Sequence, residues 1–221
     1  MPHFFGKARA WGFLLFLPVL CLAASVSAKT LVLVDQNASP LKDVVVSIPV
    51  TTPVPVPDEP AIMDQVDKQF APYVLAIPRG QYVSFPNSDN IRHHVYSFSA
   101  PKMFEIKLYS GDSVKPVVFD KPGLVVLGCN IHDQMIGYIY VYDNEQVVIS
   151  PGSGEVTLPD NVTEVTLWHP DLSLDQTLRQ TFTLDPDEQT ETLTLTLMSP
   201  PDQDTEKDAP ATFGKRKFGG D

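Results

Sequence analysis

Short apolar runs alternate with clusters of proline, glycine, asparagine and aspartate along almost the whole chain. The runs are rich in Val, Ile, Thr, Tyr and Phe, which are enriched in strands, and apolar positions seldom recur at helical spacing. Residues 190–197 alternate strictly between polar and apolar, as in a strand with one buried and one solvated face. The sequence therefore predicts an all-β chain, built as a sandwich or barrel.

The predicted strands fall into a central group and two flanking groups. The central group, within residues 60–143, comprises about eight strands, at 61–63, 72–77, 81–85, 93–98, 104–109, 115–119, 124–128 and 137–142. The flanking strands are at 30–34 and 43–48 before it, and at 146–149, 155–158, 163–168, 180–184 and 190–197 after it. A proline-dense segment, 51–60, is predicted to be an extended linker.

The two ends of the chain have a different composition. Residues 1–28 have the pattern of a secretory signal, with Lys7 and Arg9 before an apolar stretch that is short for a bilayer span, and small residues at its end. This predicts an exported, periplasmic protein without stable membrane insertion after cleavage; an uncleaved anchor is the alternative. Residues 199–221 show no core-forming pattern and are predicted to be a disordered tail.

The chain is acidic, with 27 Asp and Glu against 16 Lys and Arg, a formal net charge of -11. Such a charge disfavours binding to nucleic acid or to an anionic membrane surface. It suits a partner with a basic patch, although acidity is also a common means of keeping a protein soluble.

Three side chains that bind soft metals lie within seven residues, as Cys129, His132 and Met135. They occupy a short turn between two predicted strands. Removal of the signal, which contains Cys21, leaves Cys129 as the single cysteine, so an internal disulfide is excluded. An unpaired cysteine in an exported protein is a liability unless it is buried or ligated, which favours a metal site.

A fourth ligand is available upstream, where His93 and His94 are candidates. Successive side chains of a strand point to opposite faces, so only one of them can face the site, and alternation does not decide which. Two His, one Cys and a weak Met form the ligand set of a mononuclear blue-copper site. Zinc is disfavoured because methionine is a poor zinc ligand. Covalent haem attachment is excluded because the first cysteine of the C-x-x-C-H motif is absent. A binuclear copper site is excluded because it needs two bridging thiolates and only one cysteine remains once the signal is removed.

Residues 60–143 resemble the cupredoxins, in particular the plastocyanin and amicyanin branch. The matching pieces are 83–87, 93–95, 119–123 and the C-x2-H-x2-M spacing that begins at Cys129. More specifically, 93–99 and 128–133 are similar to exported bacterial cupredoxin-domain proteins often labelled methylamine-utilisation proteins. The resemblance implies a Greek-key β-sandwich with a type 1 (blue) copper site.

The resemblance also implies individual roles. His93 matches the first copper-binding His of the family, and Met135 matches the weak axial ligand. Asn87 matches a position that pins the ligand loop through hydrogen bonds. His94 stands where the family carries an Asn that ties the ligand strand to the Cys loop, so it is predicted to support the ligands or to be solvated.

The flanks resemble a carboxypeptidase-regulatory-like β-sandwich at 32–46 and 153–170. We therefore expect one small sandwich, residues 29–57 plus 144–198, with the cupredoxin domain, 60–143, inserted into it. Insertion at a loop whose ends lie close together costs little. The alternative is a cupredoxin with two additional N-terminal strands and a separate C-terminal domain.

The expected function is that of an electron carrier without catalytic residues. The family resemblance implies that the exposed edge of the His132 ring is the port for electrons. The redox partner is expected to carry a basic patch. One rival interpretation is a non-catalytic copper-binding or adhesive envelope protein that binds carbohydrate or protein. Another is an accessory domain of a larger oxidase complex.

Overall fold

The computed structural model describes residues 28–112 and 114–198. The predicted signal and tail lie outside this range, apart from Ala28, the first residue of the first strand. The described strands are β1 (Ala28–Asp35), β2 (Val45–Pro49), β3 (Ala61–Ile62), β4 (Asp64–Val66), β5 (Gln69–Ala71), β6 (Val74–Pro78), β7 (Tyr82–Ser84), β8 (His93–Ser97), β9 (Phe104–Tyr109), β10 (Val117–Val118), β11 (Gly123–Gly128), β12 (Ile136–Tyr142), β13 (Glu145–Ile149), β14 (Glu155–Pro159), β15 (Glu164–Trp168), β16 (Gln180–Thr183) and β17 (Thr190–Leu195).

The all-β prediction is confirmed. The regular helix in the described residues is one short 3-10 turn, Pro170–Leu172. Across 28–112 and 114–198, no helix has the length and apolar character that a bilayer crossing requires.

The central strands form two sheets and a hairpin. A five-stranded sheet has the order β6-β12-β11-β8-β9, and a three-stranded sheet has the order β10-β7-β3. Their inner faces enclose a core that includes Phe85, Phe119 and Leu127. Strands β4 and β5 pair only with each other, as a hairpin.

The flanking strands form a second pair of sheets. One has the order β14-β1-β17 and the other the order β13-β2-β15-β16, so strands from before and after the central group share both sheets. Their core is aliphatic and includes Leu31, Val46 and Leu167. Lys29 on β1 is fully buried, and its Nζ lies 2.9 Å from a carboxylate oxygen of Glu191 on β17.

A third apolar cluster joins the two groups. It contains Val45 and Trp168 from the flanks with Val74, Tyr138 and Tyr140 from the centre. The ring centroid of Trp168 lies 5.7 Å from that of Tyr138 and 6.0 Å from that of Tyr140. Strand β12 is therefore buried on both faces, one in the central core and one in this junction.

The β4–β5 hairpin departs from the sequence prediction, which places a strand at 61–63 and none at 64–71. Its residues are mostly polar, and only Gln65 and Phe70 are fully buried. Asp67 and Lys68 form its two-residue turn with φ of 53° and 61°. Two central residues with positive φ define the tight turn that suits a twisted hairpin, but it usually contains glycine or asparagine. Without those residues or an apolar alternation, the sequence gives no hairpin signal.

Candidate metal centre

Cys129 lies directly after β11 and is only 3% exposed. The next residues make a tight turn back into β12, in which the Met135 N–H donates to the His132 carbonyl at 2.9 Å. The β11–β12 register ends at Gly128 opposite Ile136, so the turn begins and ends on paired strands. A Cβ at Gly128 would lie 2.7 Å from the Tyr96 ring, which explains the glycine before the thiol. The thiol is thus fixed at the end of a rigid sheet.

The first residue of β8, His93, is fully buried beside this turn. Strand β8 runs antiparallel to β11 and pairs with it at Tyr96 and Gly128, which brings the beginning of β8 close to Cys129. The Cys129 Sγ lies 3.8 Å from the His93 Nδ1 and 3.9 Å from the His132 Nδ1. The three ligand atoms lie within 4.8 Å of one another.

These separations fit a shared metal ion. With bond lengths of about 2.3 Å to sulfur and about 2.0 Å to nitrogen, as for zinc, two ligands at tetrahedral or trigonal angles lie about 3.5 to 3.7 Å apart. The observed S···N distances of 3.8 and 3.9 Å are only slightly longer than this range. A thiol and two imidazoles are the soft and borderline donors that copper and zinc accept. The cluster therefore has both the chemistry and the spacing of a tricoordinate metal site.

Met135 is 1% exposed and belongs to the same core cluster as Cys129. It directly precedes β12, so its backbone is fixed by the same turn. Among the four predicted ligands, only His132 is partly exposed to solvent.

Strand alternation separates the two neighbouring histidines. His93, Val95 and Ser97 point into the core, whereas His94, Tyr96 and Phe98 form a row on the opposite face, with ring centroids 5.5 and 5.2 Å apart. The His94 Nε2 lies 2.9 Å from the Glu105 carboxylate. The predicted support of the ligands by His94 stays a prediction.

Asn87 organises the turn that leads into β8. Its side-chain amide donates to the carbonyls of Ile91 and Tyr109, both at 2.9 Å, and its Oδ1 accepts the Asp89 N–H at 3.1 Å. The turn that precedes His93 is thereby tied to the end of β9. A role for Asn87 in pinning the Cys129 loop, as the family resemblance implies, stays a prediction.

Asp89 is not among the residues predicted from the sequence, yet its Oδ2 lies 2.6 Å from the His93 Nε2. Partial burial acts to raise the pKa of the Asp89 carboxyl, but hydrogen bonds from the Lys68 N–H, His93 and the Asp67 N–H hold it below its ordinary value. The carboxylate is therefore charged at neutral pH. The only signal in the sequence is an Asp four residues before a candidate ligand, inside a polar cluster typical of a solvated turn.

No protein-family model and no curated protein matches the chain. Solved structures that are similar include a Cu-containing nitrite reductase from Thermus scotoductus, with 31% identity and a TM-score of 0.37, over 41% of this chain and 25% of that one. Amicyanin from Paracoccus versutus has 17% identity and a TM-score of 0.35, over 44% of this chain and 97% of that one.

A purple cupredoxin from Nitrosopumilus maritimus gives 21% identity and a TM-score of 0.33, over 37% of this chain and 99% of that one. The chain thus spans about a quarter of the nitrite reductase that it matches. These similar structures are cupredoxins, the family that residues 60–143 resemble in sequence.

Proposed function

We propose that this protein is a type 1 (blue) copper protein that carries single electrons between redox partners and is not an enzyme. The observation that carries the proposal is the cluster of His93, Cys129 and His132, with two Nδ1 atoms at 3.8 and 3.9 Å from one sulfur. Met135 would take the weak fourth position.

The donor set favours copper over zinc. Two imidazoles and a thiolate with a methionine nearby are the ligands of blue-copper sites, whereas structural zinc sites take four Cys or His ligands. Bound there, copper would supply the reversible gain and loss of one electron.

The protein contributes rigidity and exclusion of water. Cys129, His93 and Met135 are each at most 3% exposed, so these three proposed ligands are shielded from bulk water. Catalytic metals, in contrast, keep an open position for water or substrate. His93 is held by β8, and the other three ligands lie on one turn between paired strands, so little needs to move on electron transfer. The partly exposed His132 ring is the proposed port for electrons.

The net charge of -11 supports a redox partner that carries a basic patch. The same charge disfavours binding of this protein to nucleic acid. Association should then weaken as the salt concentration rises. The signal-like residues 1–28 support a periplasmic location after export.

We also propose that residues 29–57 plus 144–198 form one domain into which 60–143 is inserted. The support is that both flanking sheets combine strands from before and after the central group. The N- and C-terminal flanks also share one aliphatic core.

The visible absorption spectrum of the copper-loaded protein tests the main proposal. A thiolate bound to Cu(II) should give an intense band that makes the protein blue, with one copper per chain. Cys129→Ser and His132→Asn should lose the band. His169→Asn is a matched control, because His169 lies in the flanking group and Asn can replace it as the residue that accepts the Asp171 N–H.

A colourless protein with stoichiometric copper, or one without copper, would contradict the proposal. The adhesive alternative would then be tested by binding to carbohydrate or protein. Retention of the blue band in Cys129→Ser would show that the colour comes from another site.

A further inference from the structure

The turn of the β4–β5 hairpin is held by a single side chain. The Asp67 N–H donates to the Asp89 Oδ1 at 2.7 Å, and the Lys68 N–H donates to the Asp89 Oδ2 at 2.9 Å. Asp67 and Lys68 both have positive φ, which costs free energy in a residue other than glycine. The two hydrogen bonds offset this cost, so Asp89 caps the hairpin.

The same carboxylate contacts a proposed copper ligand. The Asp89 Oδ2 lies 2.6 Å from the His93 Nε2, and the Nδ1 of the same ring lies 3.8 Å from the Cys129 sulfur. An ionised carboxylate can only accept, so the ring must donate its Nε2–H. The lone pair then lies on Nδ1, the atom that faces the thiol. His93 is fully buried and the Asp89 side chain is 13% exposed, so water competes little for this contact.

We propose that Asp89 is a positioning residue for copper. It holds His93 in the tautomer that can ligate through Nδ1 and makes the imidazole a stronger donor, while the hairpin fixes the carboxylate itself. The inference rests on the proposed function. A carboxylate hydrogen-bonded to a ligating imidazole raises its basicity, which stabilises the more highly charged Cu(II) over Cu(I). Asp89 should therefore lower the reduction potential.

The arrangement makes the two imidazoles unequal. The His93 ring is buried and anchored through its second nitrogen to an anion, whereas His132 is partly exposed. His93 is thus the ligand that retains and tunes the copper, and His132 is the ligand through which electrons pass.

The test is Asp89→Asn in the full chain, with Asp133→Asn as the control. Asp133 is an exposed carboxylate next to His132, so its replacement removes the same charge near the site without touching His93. Asp89→Asn should shift the reduction potential to more positive values and weaken Cu(II) binding by about 10- to 100-fold. Asp133→Asn should leave the affinity within about twofold and shift the potential less.

Nitrogen NMR of the copper-free protein gives a readout that does not depend on copper. Wild-type His93 should be the Nε2–H tautomer, and Asp89→Asn should populate both tautomers. A wild-type protein with the proton on Nδ1 would overturn the inference, as would equal potentials and affinities in the two variants. Failure of the wild-type protein to bind copper would refute the proposed function alone, because the tautomer result would still report on Asp89.

A second set of variants distinguishes the two roles of Asp89, the positioning of His93 and the capping of the hairpin turn. Asp67→Gly with Lys68→Gly removes the need for a cap, because glycine adopts positive φ readily. Combined with Asp89→Asn, this background should fold and should still show the shifted potential and mixed tautomers. If the triple variant behaves like the wild type, Asp89 is only a turn cap and the inference is wrong.

Discussion

The two hydrophobic cores of this protein have similar sizes but different chemistry. All fifteen buried residues of the flanking core are Leu, Val or Ile. The fourteen of the central core include Cys129, two Met and several aromatic residues. An aliphatic core needs only the right volume and pattern to stabilise a sandwich. The central core also contains Cys129 and Met135 of the candidate metal site, and the proposed function requires these side chains to keep a fixed geometry.

The hydrogen bonds of buried polar groups also differ between the flanking region and the central region. In the flanks they tie together the ends of paired strands: the Ser150 hydroxyl, just after β13, accepts the N–H of Val44, just before β2, at 3.0 Å. In the centre they form a network beside the site. The Tyr109 hydroxyl donates to the Phe85 carbonyl at 2.6 Å and accepts from Gln65. Burial raises the pKa of Tyr109 to about 12, so this donor stays protonated at neutral pH. A polar network of this kind fixes one arrangement of the core.

The largest expected effect follows from breaking the junction between the two cores. Trp168→Ala should lower the free energy of unfolding by about 3 to 5 kcal/mol, because a buried aromatic ring is lost. Trp168 is 2% exposed and packs on Tyr138 and Tyr140 of the central sheet. Denaturant unfolding checks this, with the proposed blue band reporting on the central core and circular dichroism on the whole protein. Both unfolding midpoints should lie at lower denaturant concentrations than in the wild type.

Leu158→Ala is the control for that experiment. Leu158 lies in the flanking core and outside the junction cluster, and its loss should cost about 2 to 5 kcal/mol. If Trp168→Ala leaves the midpoint of the blue band unchanged, the two cores unfold independently and the junction does not couple them.

Copper should stabilise the central core by an amount that depends on its free concentration. At a thousand times the dissociation constant the gain is about 4 kcal/mol, because only the folded state holds the three ligands together. Thermal unfolding with and without copper measures the gain, and removal of copper by a chelator should reverse it. Cys129→Ser should abolish it, and an equal gain in that variant would place the stabilising ion elsewhere.

Much of this fold can be predicted from the sequence because most strands carry apolar alternation and end at turn residues. The turn from Cys129 to Met135 is a local feature, so spacing alone identifies the candidate ligands. The choice between His93 and His94 is different. Alternation puts them on opposite faces, and only the pairing of β8 with β11 shows which face meets the thiol.

Features that depend on distant parts of the chain could not be predicted. Strand β12 is predicted as a strand, but the burial of Tyr138 and Tyr140 requires Trp168, some thirty residues later. Asp89 is a turn residue by every local criterion, and its role depends on the β4–β5 hairpin, which has no apolar pattern. Where a long-range contact defines a residue, local pattern gives no signal.

A smaller effect is expected at the proposed axial position. Met135→Leu conserves volume in the central core and should cost less than about 1.5 kcal/mol. It removes a weak sulfur donor, so the blue band should persist while the reduction potential becomes more positive. Spectroelectrochemistry measures both. Met103→Leu is the matched control, because Met103 is 71% exposed. Equal potentials in the two variants would show that Met135 only fills space.

The smallest expected effect is a pH dependence in the flanking region. His169 is 7% exposed and its Nδ1 accepts the Asp171 N–H at 3.2 Å. Burial lowers the pKa of His169 despite the opposing effects of Asp171 and Asp43 and a hydrogen bond to the Lys42 backbone. The neutral ring is thus favoured on folding. Its contribution to stability should be complete above the unfolded pKa of about 6.5, and lost as the pH falls through the folded pKa.

Denaturant unfolding across this pH range, with His169→Asn for comparison, isolates the effect. The variant keeps an acceptor for the Asp171 N–H but does not titrate, so its stability should fall less below about pH 6.5 than that of the wild type. The blue band of the variant should match that of the wild type, because His169 lies among the flanking strands. An equal fall in stability in both proteins would assign the pH dependence to other groups, and the flanking region would then contain no histidine that senses pH.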